Sequence, residues 1–481
     1  MKSLVLTGLL VCVGQMLALN PGVKLRIGKK GLEYVNRIVE SKVNERLQSF
    51  TLNDLEDYSG NPQYSLKNIQ ITKVPVITSS VSFRPDRSGL TLAVNDYDIE
   101  LSTDYWAKHT ILLLPVTLSG RVTASFSDVS VSTTIVIDLD NDPQHSPLLK
   151  STGCVAKVGD LKLKFEGRAA WLLNLIKGLF TEKVSKSIKD KICALVANTI
   201  NKDGADVLKR TRLTHEIKKL FVDYSITGPV NSNSKYLEIK HKGEVSWMGD
   251  NSAIPIIAPL MPDKDPDNNF MAEVLVSKYS VSTLAYVAHK NGYLNLDVNP
   301  ENLPVDKRPF LKATCPGSVC VGSIVPLVGE NHPDSVISIK VYSPVSPQVT
   351  ISTGGLSLQM TGILDLFADS EGSKPSILHC ELSISLNGTA SFENELISGN
   401  INSVSIRVSN VQTQLGKIET DDLNDVVKRG LNLNFIPNLN NIMAEGIPLP
   451  LVPEVTFTKS QMKYYDGFLA IGTDVKYQNI E

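Results

Sequence analysis

Residues 247–269 read Trp-Met-Gly-Asp-Asn-Ser-Ala-Ile-Pro-Ile-Ile-Ala-Pro-Leu-Met-Pro-Asp-Lys-Asp-Pro-Asp-Asn-Asn. Prolines at 255, 259, 262 and 266 recur too closely for a helix or a central strand, because each removes an amide donor and locks φ. The stretch is therefore a linker. It divides the 481-residue chain into two halves of similar length, as expected for a chain too long for one core.

On the N-terminal side, residues 28–47 have a helical period. Leu32, Val35, Val39 and Val43 form one stripe, with Lys30, Arg37, Lys42 and Glu45 off it. Strand signals follow at 64–77, 81–83, 90–101, 111–116, 122–126 and 129–139, separated by turns such as Pro85-Asp86-Arg87-Ser88-Gly89. Connections this short leave no room for crossover helices and predict an antiparallel meander. Helical spacing returns over 168–200 through Trp171, Leu172, Leu175, Ile176, Leu179, Val184, Ile188, Ile192 and Leu195. About 30 helical residues run about 45 Å, which implies an elongated body. Laid along a curved sheet, such a helix packs as plain core or leaves an apolar hollow between the layers. A bridge from Cys154, before this helix, to Cys193, near its end, would contribute about 4 kcal/mol by restricting the unfolded chain.

Beyond the linker the order repeats. A short helix or strand-helix unit is predicted over 274–290, then strands at 336–342, 350–358, 377–386 and 404–415. A helical segment covers 421–443, with Leu423, Val426 and Val427 on one side and a break at Pro437, and a last strand covers 468–477. Helix, many strands, late helix and strand thus occur twice, which points to internal duplication.

Residues 1–18 have the pattern of a secretory signal: Lys2, an apolar run over 4–13 and small residues near Ala18. The run is too short to span a bilayer, and no later stretch approaches the roughly 20 apolar residues that spanning requires. A soluble, secreted, extracellular chain is expected. Loss of Cys12 leaves Cys154, Cys193, Cys315, Cys320 and Cys380, an odd set in which at least one is free or pairs between chains. Cys315 and Cys320 share a Pro/Gly loop with only His332 nearby, which suits a small loop disulfide or two unrelated thiols better than zinc. Asn387-Gly388-Thr389 is a glycosylation sequon, predicting Asn387 in an exposed loop or strand edge.

Charged residues make up 20% and hydrophobic residues 42%, a composition of folded cores rather than of a disordered polyelectrolyte. The net charge of −2 argues against nucleic acid as a partner. Divided at the linker, it conceals an asymmetry. Residues 20–230 hold 29 Lys+Arg and 23 Asp+Glu, net +6; residues 231–481 hold 18 and 27, net −9. The cations cluster at Lys24, Arg26, Lys29 and Lys30, and again over 183–219. Such clusters form either solvated faces or a surface that attracts anionic lipid.

No nucleophile elbow, Walker loop, dinucleotide fingerprint or His-Glu-x-x-His motif occurs, and the seven histidines are scattered. His379 and Cys380 adjoin on a strand and so face opposite ways. The sequence predicts no enzyme, no metal site and no cofactor.

Six short stretches carry a family resemblance. Asn20-Pro21-Gly22-Val23-Lys24-Leu25-Arg26 with Lys30-Gly31-Leu32-Glu33-Tyr34 opens the mature chain. Val222-Asp223-Tyr224-Ser225 and Lys242-Gly243-Glu244 enter the linker. Gly446-Ile447-Pro448-Leu449-Pro450 precedes a closing Phe468-Leu469-Ala470-Ile471-Gly472-Thr473-Asp474-Val475. Together with Cys154 and Cys193, these resemble, in order and over nearly the whole chain, the bactericidal/permeability-increasing, lipopolysaccharide-binding and plasma lipid-transfer protein family. The resemblance implies an α+β fold: an elongated boomerang of two antiparallel-sheet barrels, each wrapped by a long and a short helix and joined by a central sheet. It places the signal at 1–18, one barrel at 19–221, the central-sheet segment and linker at 222–269 and the second barrel at 270–481. It implies a Cys154–Cys193 disulfide and a monomer. It also implies apolar pockets holding phospholipid, the N-terminal one lined by Leu32, Val35, Val39, Val43, Leu172, Leu175 and Leu179.

The implied function is innate, antibacterial defence, with lipopolysaccharide or a bacterial membrane surface bound through the basic N-terminal half. The N-terminal tip, over 102–115, would make contact through Tyr105, Trp106, Lys108 and His109. This tip departs from the family's densely basic pattern, and Asp54, Glu56 and Asp57 lie in the adjacent segment. A phospholipid carrier without endotoxin binding and a secreted structural β-protein are the alternatives.

Overall fold

The computed structural model describes residues 20–478 apart from 49–51, 61, 74–75, 86–88, 112, 144, 167–179 and 371. The signal region and Leu172, Leu175 and Leu179 lie outside the described residues.

One long hairpin, Gly89–Ile111 with Leu114–Leu139, organises the N-terminal sheet; its pairing runs from Gly89↔Val136 to Ile111↔Leu114. Ser79–Arg84 flanks the first half of the first arm and Gln63–Lys73 the second. Pro147–Lys157 and Leu161–Phe165 flank the other arm. The predicted strands at 122–126 and 129–139 are one strand. Ser127-Asp128 reads as a turn, but Asp128 takes φ +54° within the strand, and a left-handed residue there bends a strand without ending it. Residues 111–116, predicted as a separate strand, close the hairpin instead.

The C-terminal sheet repeats this plan. Gly355–Asp369 pairs with Ser376–Glu393, with Gln348–Ser352 on the first half of the first arm and Val336–Tyr342 on the second. Even the opening glycine recurs. A Cβ on Gly89 would stand 2.2 Å from the carbonyl oxygen of Ile135, and one on Gly355 2.8 Å from that of Gly388. Each sheet is an open path, ending at Leu55–Asp57 and Pro147–Lys157 in one half and at Leu296–Val298 and Ile447–Pro448 in the other. Each half is thus a wrapped sheet whose hydrogen-bonded ladder does not close into a ring.

Each sheet is covered by helices. The helix over Phe180–Lys209 contains π-turns at Phe180–Val184 and Thr199–Gly204 and runs beyond the predicted end at 200. Val184, Ile188, Ile192, Val196 and Ile200, spaced by four, bury one stripe in the N-terminal core. The Cys154–Cys193 disulfide ties this helix to the sheet, and Cys315 is bonded to Cys320. In the C-terminal half, Thr420–Gly430 and Ile436–Ala444 continue through a π-turn at Leu431–Phe435. Pro437 therefore does not break the helix: it follows directly on the π-turn, whose wider register accommodates a residue that donates no amide hydrogen.

A central six-stranded sheet joins the halves in the order Asn231–Ser232, Tyr236–His241, Val23–Gly28, Ala272–Ser277, Phe468–Tyr477, Val455–Tyr465. The proline linker is strapped over this sheet. Met261 packs with Leu275, Phe468 and Ala470, Lys264 bonds to Glu273 at 2.6 Å, and Asp267 to Lys463 at 3.0 Å.

Candidate functional site

Two of the four cations predicted as an exposed basic patch are internal. Arg26 is fully buried in the central sheet. Its Nε donates to Glu238 Oε2 at 2.8 Å, its Nη2 to Asp263 Oδ1 at 2.9 Å, and its guanidinium stacks 4.6 Å from the Tyr236 ring centre. Lys24, also buried, lies 3.6 Å from Glu238, and burial pulls its pKa down. Lys30 is half-buried and bonded to Asp474 at 2.8 Å. Lys29 alone of the four is exposed. The patch is therefore a structural ion-pair network, because the opening strand lies between two strands of the sheet rather than at its surface. Exposed cations of this half lie on its strands, among them Lys67, Arg121, Lys157, Lys162 and Lys164, and on the long helix. Lys183 and Lys186 are exposed and Lys189 and Lys191 half-buried, and none of the four forms a salt bridge among the described residues.

The stripe of the first helix, Lys29–Gln48, divides as well. Leu32 is buried and Val39 and Val43 half-buried, but Val35 is 41% exposed and lines nothing. The helix is fastened by polar groups instead. Asn36 Nδ2 donates to the carbonyl of Ser79 at 2.9 Å, and Asn44 exchanges hydrogen bonds of 3.0 and 2.8 Å with the backbone of Ile77.

At the tip, Tyr105 is not a contact residue. It is 5% exposed and meets Phe165 edge-on at 5.5 Å. Trp106 is half-buried, 5.9 Å from Tyr58. Lys108 and His109 are half-buried, and His109 Nδ1 has no partner among the described residues. The end of the molecule lies further along. Gln63–Lys73 stops at Gln63↔Lys108 and Leu161–Phe165 stops at Val122↔Phe165, so residues 109–111 and 114–116 extend as a two-stranded ribbon with no third strand among the described residues. No charged side chain lies between Lys108 and Arg121. At the turn, Leu113 takes φ +70° and is 92% exposed, and Leu114 is 70% exposed. A leucine in the left-handed region is uncommon and unfavourable. Sequence periodicity missed this pair because an Ile-Leu-Leu-Leu-Pro-Val run reads as a buried strand.

The equivalent C-terminal hairpin ends quite differently. Residues 370–375 read Ser-Glu-Gly-Ser-Lys-Pro, and Lys374 pairs with Asp369 at 3.7 Å. The fold plan therefore does not demand an apolar tip. Asn387 is exposed, yet it lies within an inner strand, paired with both Ser357 and Ser403, rather than in a loop or at an edge. His379 bonds to Asp365 at 2.7 Å on the outer face while Cys380 is buried and free, so the two do face opposite ways.

Known proteins share this architecture. Residues 31–207 match the N-terminal domain of the LBP / BPI / CETP family and residues 214–477 its C-terminal domain. The lipopolysaccharide-binding protein of Bos taurus is 24% identical, covering 100% of this chain and 98% of that one. The bactericidal permeability-increasing protein of Sebastes schlegelii is 25% identical with 98% of each covered. The phospholipid transfer protein of Mus musculus is 20% identical, with 95% of this chain and 90% of that one covered. A crystal structure of lipopolysaccharide binding protein superposes with a TM-score of 0.63 over 96% of this chain and 100% of that one, at 22% identity. Two matched domains in sequence, spanning both wrapped sheets, mean that this chain belongs to the LBP / BPI / CETP family.

Proposed function

We propose that the protein is a secreted, non-enzymatic lipid-binding protein of innate defence. It engages lipopolysaccharide-bearing or phospholipid surfaces at its N-terminal tip and holds acyl chains in its apolar interior. The observation that carries the reading is the ribbon ending in Leu113 and Leu114. Water gains nothing from two leucines held exposed at a left-handed turn, whereas inserting each into a hydrocarbon layer gains up to about 2 kcal/mol. Whole-length similarity to lipopolysaccharide-binding and bactericidal permeability-increasing proteins supports the choice of lipid. Lys183, Lys186, Lys189 and Lys191 supply attraction to phosphate groups in place of the buried Lys24 and Arg26.

The runner-up is a phospholipid carrier without endotoxin binding. It is favoured by the ion-paired Arg26, by a tip that lacks cations and by the similarity to mouse phospholipid transfer protein. One flotation assay addresses both, using phosphatidylcholine vesicles with and without lipopolysaccharide at low and high salt. The Leu113→Ser/Leu114→Ser double variant is expected to bind at least tenfold more weakly to both. Equal binding by variant and parent would refute the tip. Equal affinity for both vesicle types at low salt would favour the carrier.

A further inference from the structure

The C-terminal half contains an open cavity of about 320 Å³ between the strand Leu296–Val298, the loop that follows it and the last helix. Its floor is apolar: Leu296 and Phe435 are buried and Leu439 half-buried. Its rim is mixed: Tyr293, Asn295, Asn302 and Asn438 are polar, Asp297 is charged, Ile442 is apolar and exposed, and no Lys or Arg lines it. We propose that this cavity is a binding site for a neutral saccharide, separate from the lipid contact at the other end of the chain.

The rim chemistry supports this. Asn299 holds Asp297 Oδ1 through a 2.9 Å hydrogen bond from its amide, and its own Oδ1 accepts the backbone N–H groups of Glu301 and Asn302 at 2.9 and 3.1 Å. The carboxylate and the loop are therefore set before any ligand arrives. Asp297 Oδ2, the Asn302 amide nitrogen, the Asn295 side chain and the Tyr293 hydroxyl carry no hydrogen bond among the described residues. They offer both acceptors and donors, as the hydroxyls of a polyol require. Tyr293, 49% exposed, stands 5.6 Å from Trp247 and presents ring surface at the rim. A pyranose has an apolar C–H face for such rings and for the floor, and hydroxyls that both donate and accept. A phosphate would meet Asp297 with no cation to balance it, which disfavours anionic headgroups. An acyl chain would leave the amide rim desolvated without partners. The volume lies at the small end of ligand sites, which run from about 300 to 1,000 Å³.

The test is saturation-transfer NMR on the full secreted protein with methyl glucoside, methyl mannoside, methyl galactoside and N-acetylglucosamine, each at millimolar concentration. Transfer to the ring protons of at least one sugar is expected. Two variants of exposed side chains, Tyr293→Ala and Asp297→Ala, should each cut it at least fivefold while vesicle binding stays unchanged. Asp297→Ala alone frees the Asn299 loop, so Tyr293→Ala is the variant that separates a lost contact from a loosened loop. No transfer to any of the four sugars overturns the proposal, as does transfer indifferent to Tyr293→Ala. Transfer confined to the alkyl protons of octyl glucoside, run alongside, would make the cavity an acyl site and also overturn it.

Discussion

Arg26 and His241 lie on adjacent strands of the central sheet, and both owe their state to burial. Arg26 neutralises Glu238 where neither reaches water. Removing the guanidinium leaves the buried Glu238 with only Lys24 at 3.6 Å and Lys240 at 4.0 Å opposite it, at a cost of up to about 3–5 kcal/mol. Arg26→Ala should lose that much in guanidinium unfolding, whereas exposed Lys29→Ala should stay within about 0.5 kcal/mol of the parent; equal losses would contradict the burial assigned here. His241, opposite Val23, donates from Nδ1 to the Tyr224 carbonyl at 2.8 Å and has a buried Nε2 without a partner among the described residues. Burial pushes its pKa from 6.5 down to about 4. The unfolded chain then binds more protons between those values, so stability is intact above pH 6.5 and falls as the pH drops toward 4. The full effect is roughly 3 kcal/mol. His241→Leu should flatten that part of the pH dependence of unfolding, and an unchanged slope would show that other groups carry it.

Among the elements, the long helix and the long hairpin show how far pattern reading extends. Helical spacing located the second helix, and four of its predicted apolar positions, Val184, Ile188, Ile192 and Leu195, do pack in the N-terminal core. Its C-terminal end was not legible, because π-turns shift the register that a 3.6-residue period follows. The hairpin was cut at Ser127-Asp128 for a related reason: short polar residues serve turns and bulges alike, and the distinction depends on whether a partner strand continues alongside. The Cys154–Cys193 bridge joins sheet to helix over a separation of 39 residues, against 5 for Cys315–Cys320. The loop model assigns them about 4 and about 2 kcal/mol. Paired serine substitutions should therefore lower the unfolding midpoint more for Cys154/Cys193 than for Cys315/Cys320, and the reverse order would mean that native-state strain, not loop length, governs.

At the scale of the whole molecule, two similar wrapped sheets share one central sheet, and they differ where it matters for lipid. One hairpin ends in exposed leucines and its counterpart in an ion-paired polar turn. If the interiors hold acyl chains, native mass spectrometry of the secreted protein should show a mass above that of the same protein denatured, and organic extraction should release phospholipid. A lipid-free mass equal to the protein alone would count against the interior pockets without touching the tip. By itself the sequence determined the repeated order of elements and the limits of the last strand, Phe468–Tyr477. These follow from periodicity and turn chemistry, which act between residues a few positions apart. Tertiary structure alone decided that Lys24 and Arg26 are internal, that Tyr105 is core and that Leu113 and Leu114 form the tip. Each outcome depends on strands far away in the chain: Arg26 is neutralised by a carboxylate 212 residues later, and no local pattern records which strand will lie alongside or where its neighbours stop.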